Sequence, residues 1–192
     1  MKVVHRADVK AWQKVGELAL TYSPYINFGV QAFVAPRGEE KVHFSVFAVV
    51  GGANLVFPVT NGGRVVMVQQ YWQGIDRCTW TAPGGRAEES EILEVSARRE
   101  LLEETGYSAG EVVSVGSFCL HPRYSPTRCD VLFATGCCLV GLQKLDPLET
   151  VGVAEFEPVE FWGMVRTNCI DEPYTVLAAF FAALHGVWPF PE

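Results

Sequence analysis

The chain has 192 residues, 49% of them hydrophobic and 19% charged, and a net charge of −7 at pH 7. This is the composition of a packed globular protein with room for one core and too little chain for two full domains. An acidic balance with no basic stripe excludes non-specific attraction to nucleic acid or to an anionic membrane.

In chain order, Tyr25 to Val34 and Val42 to Val50 are aromatic and β-branched and flank Pro36-Arg37-Gly38, which predicts an antiparallel hairpin. Ala53 to Thr60 and Arg64 to Tyr71 flank Asn61-Gly62-Gly63 and predict a second strand pair. A breaker-rich loop, Trp80 to Gly85, leads to a run from Glu88 to Thr105 without Pro or Gly, which predicts a helix that Gly106 stops. Val112 to Leu120, Cys129 to Cys138 and Val151 to Phe156 read as further strands, with a polar loop at His121 to Arg128. A last helix, capped by Asp171 with Pro173 in its first turn, runs through Val176 to Leu184 and ends at Gly186. Strands before and after a central helix predict an α/β fold with helices on the faces of a mixed sheet.

The six cysteines show no CxxC spacing and read as reduced thiols. No apolar run reaches the roughly 18 residues of a membrane span, and Met1 to Lys10 lack the apolar core of a secretion signal. A cytoplasmic protein without a membrane or nucleic-acid partner is expected.

The chemistry concentrates after Gly85. Five residues lead to Glu91, seven more to Arg99-Glu100-Leu101, and after Leu102 come Glu103-Glu104-Thr105-Gly106-Tyr107. On a helix Glu100 and Glu104 lie one turn apart with Glu103 beside them, so three carboxylates share one patch. They repel one another, and the negative end of the helix dipole before Gly106 adds to the conflict. A divalent cation resolves both, and ligands that are all oxygen suit Mg2+, with Mn2+ as the other option, rather than zinc.

This constellation resembles the Nudix box, G-x5-E-x7-R-E-U-x-E-E-x-G-U with U apolar, from which only the aromatic Tyr107 departs. The resemblance implies a Nudix-type α/β/α sandwich with a mixed β-sheet and an N-terminal antiparallel β-hairpin. It divides the chain into a β-rich segment, 1–50, and a Nudix hydrolase domain, 51–192. It assigns Glu100, Glu103 and Glu104 as metal ligands with the Gly85 carbonyl, Arg99 as the residue that holds the glutamates in place, and Glu91 as its structural partner. The implied reaction is metal-dependent hydrolysis of a pyrophosphate bond, in which the cation neutralises the polyanion and activates water.

The stretch from about Tyr25 to Leu184 is similar to the ADP-ribose and nucleoside diphosphate sugar pyrophosphatase branch. Where that branch has RQYR and W-E-x-P-x-G, this chain has Gln69-Gln70-Tyr71-Trp72 and Trp80-Thr81-Ala82-Pro83-Gly84-Gly85, so the resemblance implies the class of substrate more than ADP-ribose itself. Pro122 falls where branch members carry a proline. Trp72, Trp80, His121, Arg123 and Arg128 are candidate substrate contacts, the arginines as partners for phosphate or carboxylate oxygens. A glutamate before a late strand is the branch's base or extra ligand, which points to Glu149, with Glu155 and Glu157 as alternatives. Relatives are homodimers whose N-terminal strands help build the partner's site, with an aromatic ring on the base; Tyr25 is the nearest match, then Phe28 and His43. The rival readings are hydrolysis of another pyrophosphate, such as another sugar nucleotide, a dinucleoside polyphosphate (an option that Tyr124 keeps open) or a damaged nucleotide, and a module that senses a nucleotide without cutting it.

Overall fold

The computed structural model describes residues 12–21, 26–34, 41–49, 53–88, 90–119, 121–147 and 149–190. They form two compact units, one holding the N-terminal strands and residues 119–127, the other holding residues 53–118 and 128–190. The first contains β1 (Gln13–Thr21), β2 (Ile26–Val34) and β3 (Lys41–Val49) in one antiparallel sheet of that order. The expected hairpin is therefore present as β2 and β3, and β1, whose alternation is weak and interrupted by Gly16, adds a strand in front of it.

The second unit is a mixed sheet with helices on both faces. Its strands are β4 (Ala53–Thr60), β5 (Val65–Trp72), β6 (Arg77–Thr81), the short β7 (Gly84–Gly85), β8 (Tyr107–Ser108), β9 (Glu111–Phe118), β10 (Cys129–Leu139) and β11 (Gly152–Phe156). The helices are α1 (Leu93–Thr105), α2 (Pro158–Arg166) and α3 (Pro173–Leu184). β4 runs parallel to β10, with Val56 opposite Leu132 and Phe57 opposite Phe133, and the other pairings are antiparallel.

Strand alternation sorts the core into two layers, because successive side chains leave a strand on opposite faces. Val56, Val66, Leu132 and Ala134 meet Ala97 and Leu101 of α1. Leu55, Phe57, Met67, Val131 and Phe133 meet Phe161 and Trp162 of α2 and the alanine face of α3. Phe57 takes the edges of Phe161 and Trp188 at 5.5 and 5.4 Å, the edge-on geometry that aromatic quadrupoles favour.

A gap in the sheet positions the glycines of β7. β4 and β5 pair only at Val59 and Val65, beside the Asn61–Gly63 turn, and then part. Residues 77–85 enter the gap: β6 adds to β5, with Val68 opposite Thr81, and β7 adds to β4, with Asn54 opposite Gly85. Val56 N donates to Pro83 O at 3.0 Å, so the parted strand keeps its main-chain partners. The sequence read as a loop from Trp80 is thus strand up to Thr81, and its two glycines are paired to β4.

The helices differ from expectation at their starts. α1 begins at Leu93 rather than Glu88, because Ser90 adopts φ +67°, Glu91 N bonds to Glu88 O, and the Glu91 carboxylate is drawn back to the Glu88 amide. Its end at Gly106, φ +77°, is as expected. α3 is capped by Glu172, whose carboxylate accepts from Tyr174 N and Thr175 N, while Asp171 pairs with Arg77 and accepts from Thr79 Oγ1. α2 was not expected; Pro158 at its first turn and the buried pair Phe161 and Trp162 are the features that make it. Among the described residues no helix is long and apolar enough to cross a membrane. None of the six cysteines is in a disulfide.

Leu101 is fully buried where α1 docks on the sheet. Leu101→Ala is expected to cost about 2–5 kcal/mol in urea unfolding; a loss below about 1 kcal/mol would mean that this face does not anchor the helix.

Candidate active site

α1 presents its glutamates beside the glycines of β7. Gly84 N donates to Glu104 Oε2 at 2.9 Å, and a Cβ on Gly85 would stand 2.4 Å from Glu100 Oε1 and 2.7 Å from Oε2. A Cβ on Gly84 would meet the backbone of β4, with Asn54 O at 2.3 Å. Gly84 therefore excludes a side chain, one at Gly85 would have to displace the Glu100 carboxylate, and the main chain of this strip is what faces the carboxylates.

Arg99 organises the patch. Its Nε and Nη2 donate to the two oxygens of Glu91, both at 3.0 Å, while Nη1 donates to Glu100 Oε1 at 2.9 Å and Glu103 Oε2 at 3.0 Å. Nη2 also reaches Arg86 O at 3.0 Å. The bidentate bond from Arg99 pulls the Glu91 carboxyl down to about 2 and, with the other carboxylates, raises the guanidinium further above its usual range. Behind Arg99, Ser96 is fully buried and accepts from Asn54 Nδ2 at 2.8 Å, linking α1 to β4.

Two carboxylates of the patch are costly to charge. Burial pushes Glu104, 5% exposed, up to about 8, with the charges of Glu100, Glu149 and Glu103 adding to the effect and the Gly84 amide opposing it. Glu100 is also raised, by burial first, against the pull of Arg99. Glu149 is near enough to contribute to both shifts. It sits in the 140–151 connection, where its carboxylate accepts from Asp146 N and its own amide donates to Asp146 O, both at 2.9 Å. Among the described residues no three His, Cys, Asp or Glu side chains gather as a metal cage. Glu100 and Glu103 are turned to Arg99, and Glu104 to the Gly84 amide. The donors within reach are nonetheless all oxygen, crowded and only partly neutralised, which is the chemistry a hard divalent cation requires.

The remaining candidates have partners of their own. Glu155 and Glu157 both pair with Arg64, at 3.5 and 2.6 Å, at the Asn61–Gly63 turn, where they help line a cavity of about 350 Å³ with Tyr107. That cavity is at the Thr60 end of β4, six residues and roughly 20 Å along the strand from Asn54. Trp80 packs edge-on against Phe156, centroids 4.9 Å apart, and Trp72 is an exposed residue opposite Arg77 at the far end of the β5–β6 hairpin. The guanidinium of Arg128 bonds to Ser117, through Oγ at 3.0 Å and through its carbonyl oxygen. His121 and Arg123 are exposed in a turn in which His121 O accepts from Tyr124 N and Ser125 N. Tyr25 lies outside the described residues; Phe28 is half-buried on β2 and His43 exposed on β3. Sequence reasoning did not single out Asn54, Ser96 or the Arg86 carbonyl. Their part comes from the pairing of β7 with β4, which no local pattern announces.

Known proteins supply a context for this geometry. The NUDIX domain family profile matches residues 51–168. An ADP-ribose pyrophosphatase from Bacillus subtilis (strain 168) is 33% identical over 134 residues, covering 69% of this chain and 72% of that protein. A methanol dehydrogenase activator from Bacillus methanolicus is 30% identical over the same length and the same shares. Among solved structures, the crystal structure of an ADP compounds hydrolase superposes with a TM-score of 0.76 at 15% identity, covering 95% of this chain and all of that one, a likeness of fold.

The Glu91–Arg99 pair makes a prediction of its own. Glu91 is held far below the ordinary carboxylate value of 4.5, at about 2, so its contribution to stability is complete above 4.5 and is lost as pH falls through about 2. Glu91→Gln should cost about 2 kcal/mol at pH 7, with the gap to wild type closing as the pH is lowered from 4.5 toward 2 in denaturant titrations. A gap independent of pH across that window would show that the ion pair is not its source.

Proposed function

Because this chain belongs to the Nudix family and is a pyrophosphohydrolase, we propose that it hydrolyses the pyrophosphate bond of a nucleoside diphosphate sugar of the ADP-ribose kind. The products would be a nucleoside monophosphate and a sugar phosphate. The observation that carries the reading is the unbroken set of Glu100, Glu103 and Glu104 gathered on α1 against Gly84 and Gly85, with Arg99 in place. A sensor that only bound nucleotide would have no use for such a costly arrangement. Identity to an ADP-ribose pyrophosphatase supports the substrate class.

The residues that would hold a divalent cation, Mg2+ or Mn2+, are Glu100, Glu103, Glu104 and the Gly85 carbonyl. Bound there, the ion would neutralise diphosphate oxygens and lower the pKa of water. Arg99 keeps Glu100 and Glu103 on the same side of α1, and the Gly84 amide fixes the direction of Glu104. Glu149, whose charge bears on both Glu100 and Glu104, is our choice for the group that takes the proton of the attacking water. The water oxygen bonds to one phosphorus, the bridging P–O bond breaks, and the leaving phosphate carries away the electron pair. Trp72, Trp80, His121, Arg123 and Arg128 remain the proposed substrate contacts, with Tyr25 as the proposed base-stacking ring, and a homodimer is part of the same proposal.

The test is turnover of ADP-ribose, other sugar nucleotides, dinucleoside polyphosphates and nucleoside triphosphates in magnesium, with Glu103→Gln/Glu104→Gln as the blank. Expected are release of a monophosphate from a sugar nucleotide and loss of turnover in the blank and in EDTA. Faster cleavage of a triphosphate or dinucleoside polyphosphate would replace the substrate class, and binding without cleavage would favour the sensor. In the same assay Glu149→Gln is expected to lower kcat by about 10²–10⁴-fold while leaving metal affinity nearly intact.

A further inference from the structure

The 140–151 connection from β10 to β11 does not hang free of α1. Val140 N and Gly141 N donate to Gly106 O at 3.0 and 3.2 Å, and Lys144 N donates to Glu103 O at 2.8 Å. Between them the half-buried Gln143 uses one nitrogen twice, donating to Glu104 O at 2.6 Å and to Val151 O at 3.0 Å. The last carbonyls of a helix have no partner within it, and here two of them, on Glu103 and Glu104, are filled by the connection that bears Glu149.

We propose that Gln143 is the positioning residue for Glu149. This rests on the reading of Glu149 as the base. An amide nitrogen has two hydrogens, and this one spends them on the main chain of Glu104, within the carboxylate patch, and on the main chain two residues beyond Glu149. The side chain therefore ties the main chain that carries the α1 glutamates to the main chain two residues past Glu149. The Asp146–Glu149 turn closes the connection on its other side. No other side chain in the described residues is shown bonding to both the α1 terminus and the β11 junction. Without it the turn would still form, but its placement against α1 would rest on backbone bonds at positions 140–144 alone.

The experiment is a double-mutant cycle on the fastest substrate of the panel in magnesium. Gln143→Met keeps the length of the side chain and donates nothing; Gln143→Ala serves if the methionine variant does not fold. In the otherwise wild-type enzyme, either is expected to lower kcat about 10–100-fold with little change in KM, as a misplaced catalytic group does. In the Glu149→Gln background the same change should cost less than about 3-fold, because the group it positions is already gone. An equal loss in both backgrounds, or none in the first, overturns the positioning role. Unchanged turnover in Glu149→Gln alone overturns the assignment of the base, and the proposal with it, and is read from that single variant before the cycle is completed.

Discussion

The guanidinium of Arg99 lies among three carboxylates, Glu91, Glu100 and Glu103, that would repel one another at this spacing, and it also reaches the carbonyl of Arg86. Two consequences follow from its planar shape. One edge is satisfied in bidentate fashion by Glu91, which fixes the plane; the other nitrogen is then free to hold Glu100 and Glu103 together on one side of the helix. A lysine could supply the charge but not the fixed plane. The acidic patch is thus held open by a cation of the chain's own, and Glu104, which has no bond to Arg99, carries the largest burden of burial in the patch.

The parting of β4 and β5 gives this helix something to face. In an uninterrupted hairpin the edge of β4 would be covered by β5, and a glycine strip could not lie against α1. Here the chain turns back through β6 and delivers Gly84 and Gly85 into the gap, with Pro83 O bonded to Val56 N. The buried Asn54–Ser96 bond then crosses from the same stretch of β4 to α1, so strand, strip and helix are registered to one another at a single level. The glutamates owe their placement to this registration as much as to their spacing on the helix.

Much of this was legible in the sequence where the constraint is local. The spacing from Gly85 to Gly106 placed the carboxylates on one helix, and β4 was readable to its ends because its apolar run is bounded by a glycine pair and Asn61-Gly62. The start of α1 was not, since a run without Pro or Gly says nothing of a carboxylate drawn backward to an amide, and Ser90 gives no warning of its positive φ. Arg77 to Thr79 suggest no element because they have little apolar periodicity, and the loop expected from Trp80 starts only after Thr81; the stretch is a strand because β5 has an edge to fill. The cap of α3 fell one residue late, on Glu172, because Asp171 is claimed by Arg77 from β6. α2 could have been found from Pro158, with Glu160 in the first turn and Phe161-Trp162 next. The bonds of Gln143 could not, for they run to the carbonyls of Glu104 and Val151 on either side of the connection, which no local pattern announces.

The adjacent glycines of β7 close two positions to variation for unlike reasons. At 84 the obstacle is the backbone of β4, which cannot step aside without unpairing the strand; at 85 it is the carboxylate of Glu100. Selection for a folded protein alone would preserve the first and be indifferent to the second once the carboxylate had no task. In a lineage that kept this scaffold but drifted away from chemistry, position 85 would be released while position 84 stayed fixed. The pair thus answers to two separate demands, position 84 to the pairing of β4 and position 85 to the side chain of Glu100.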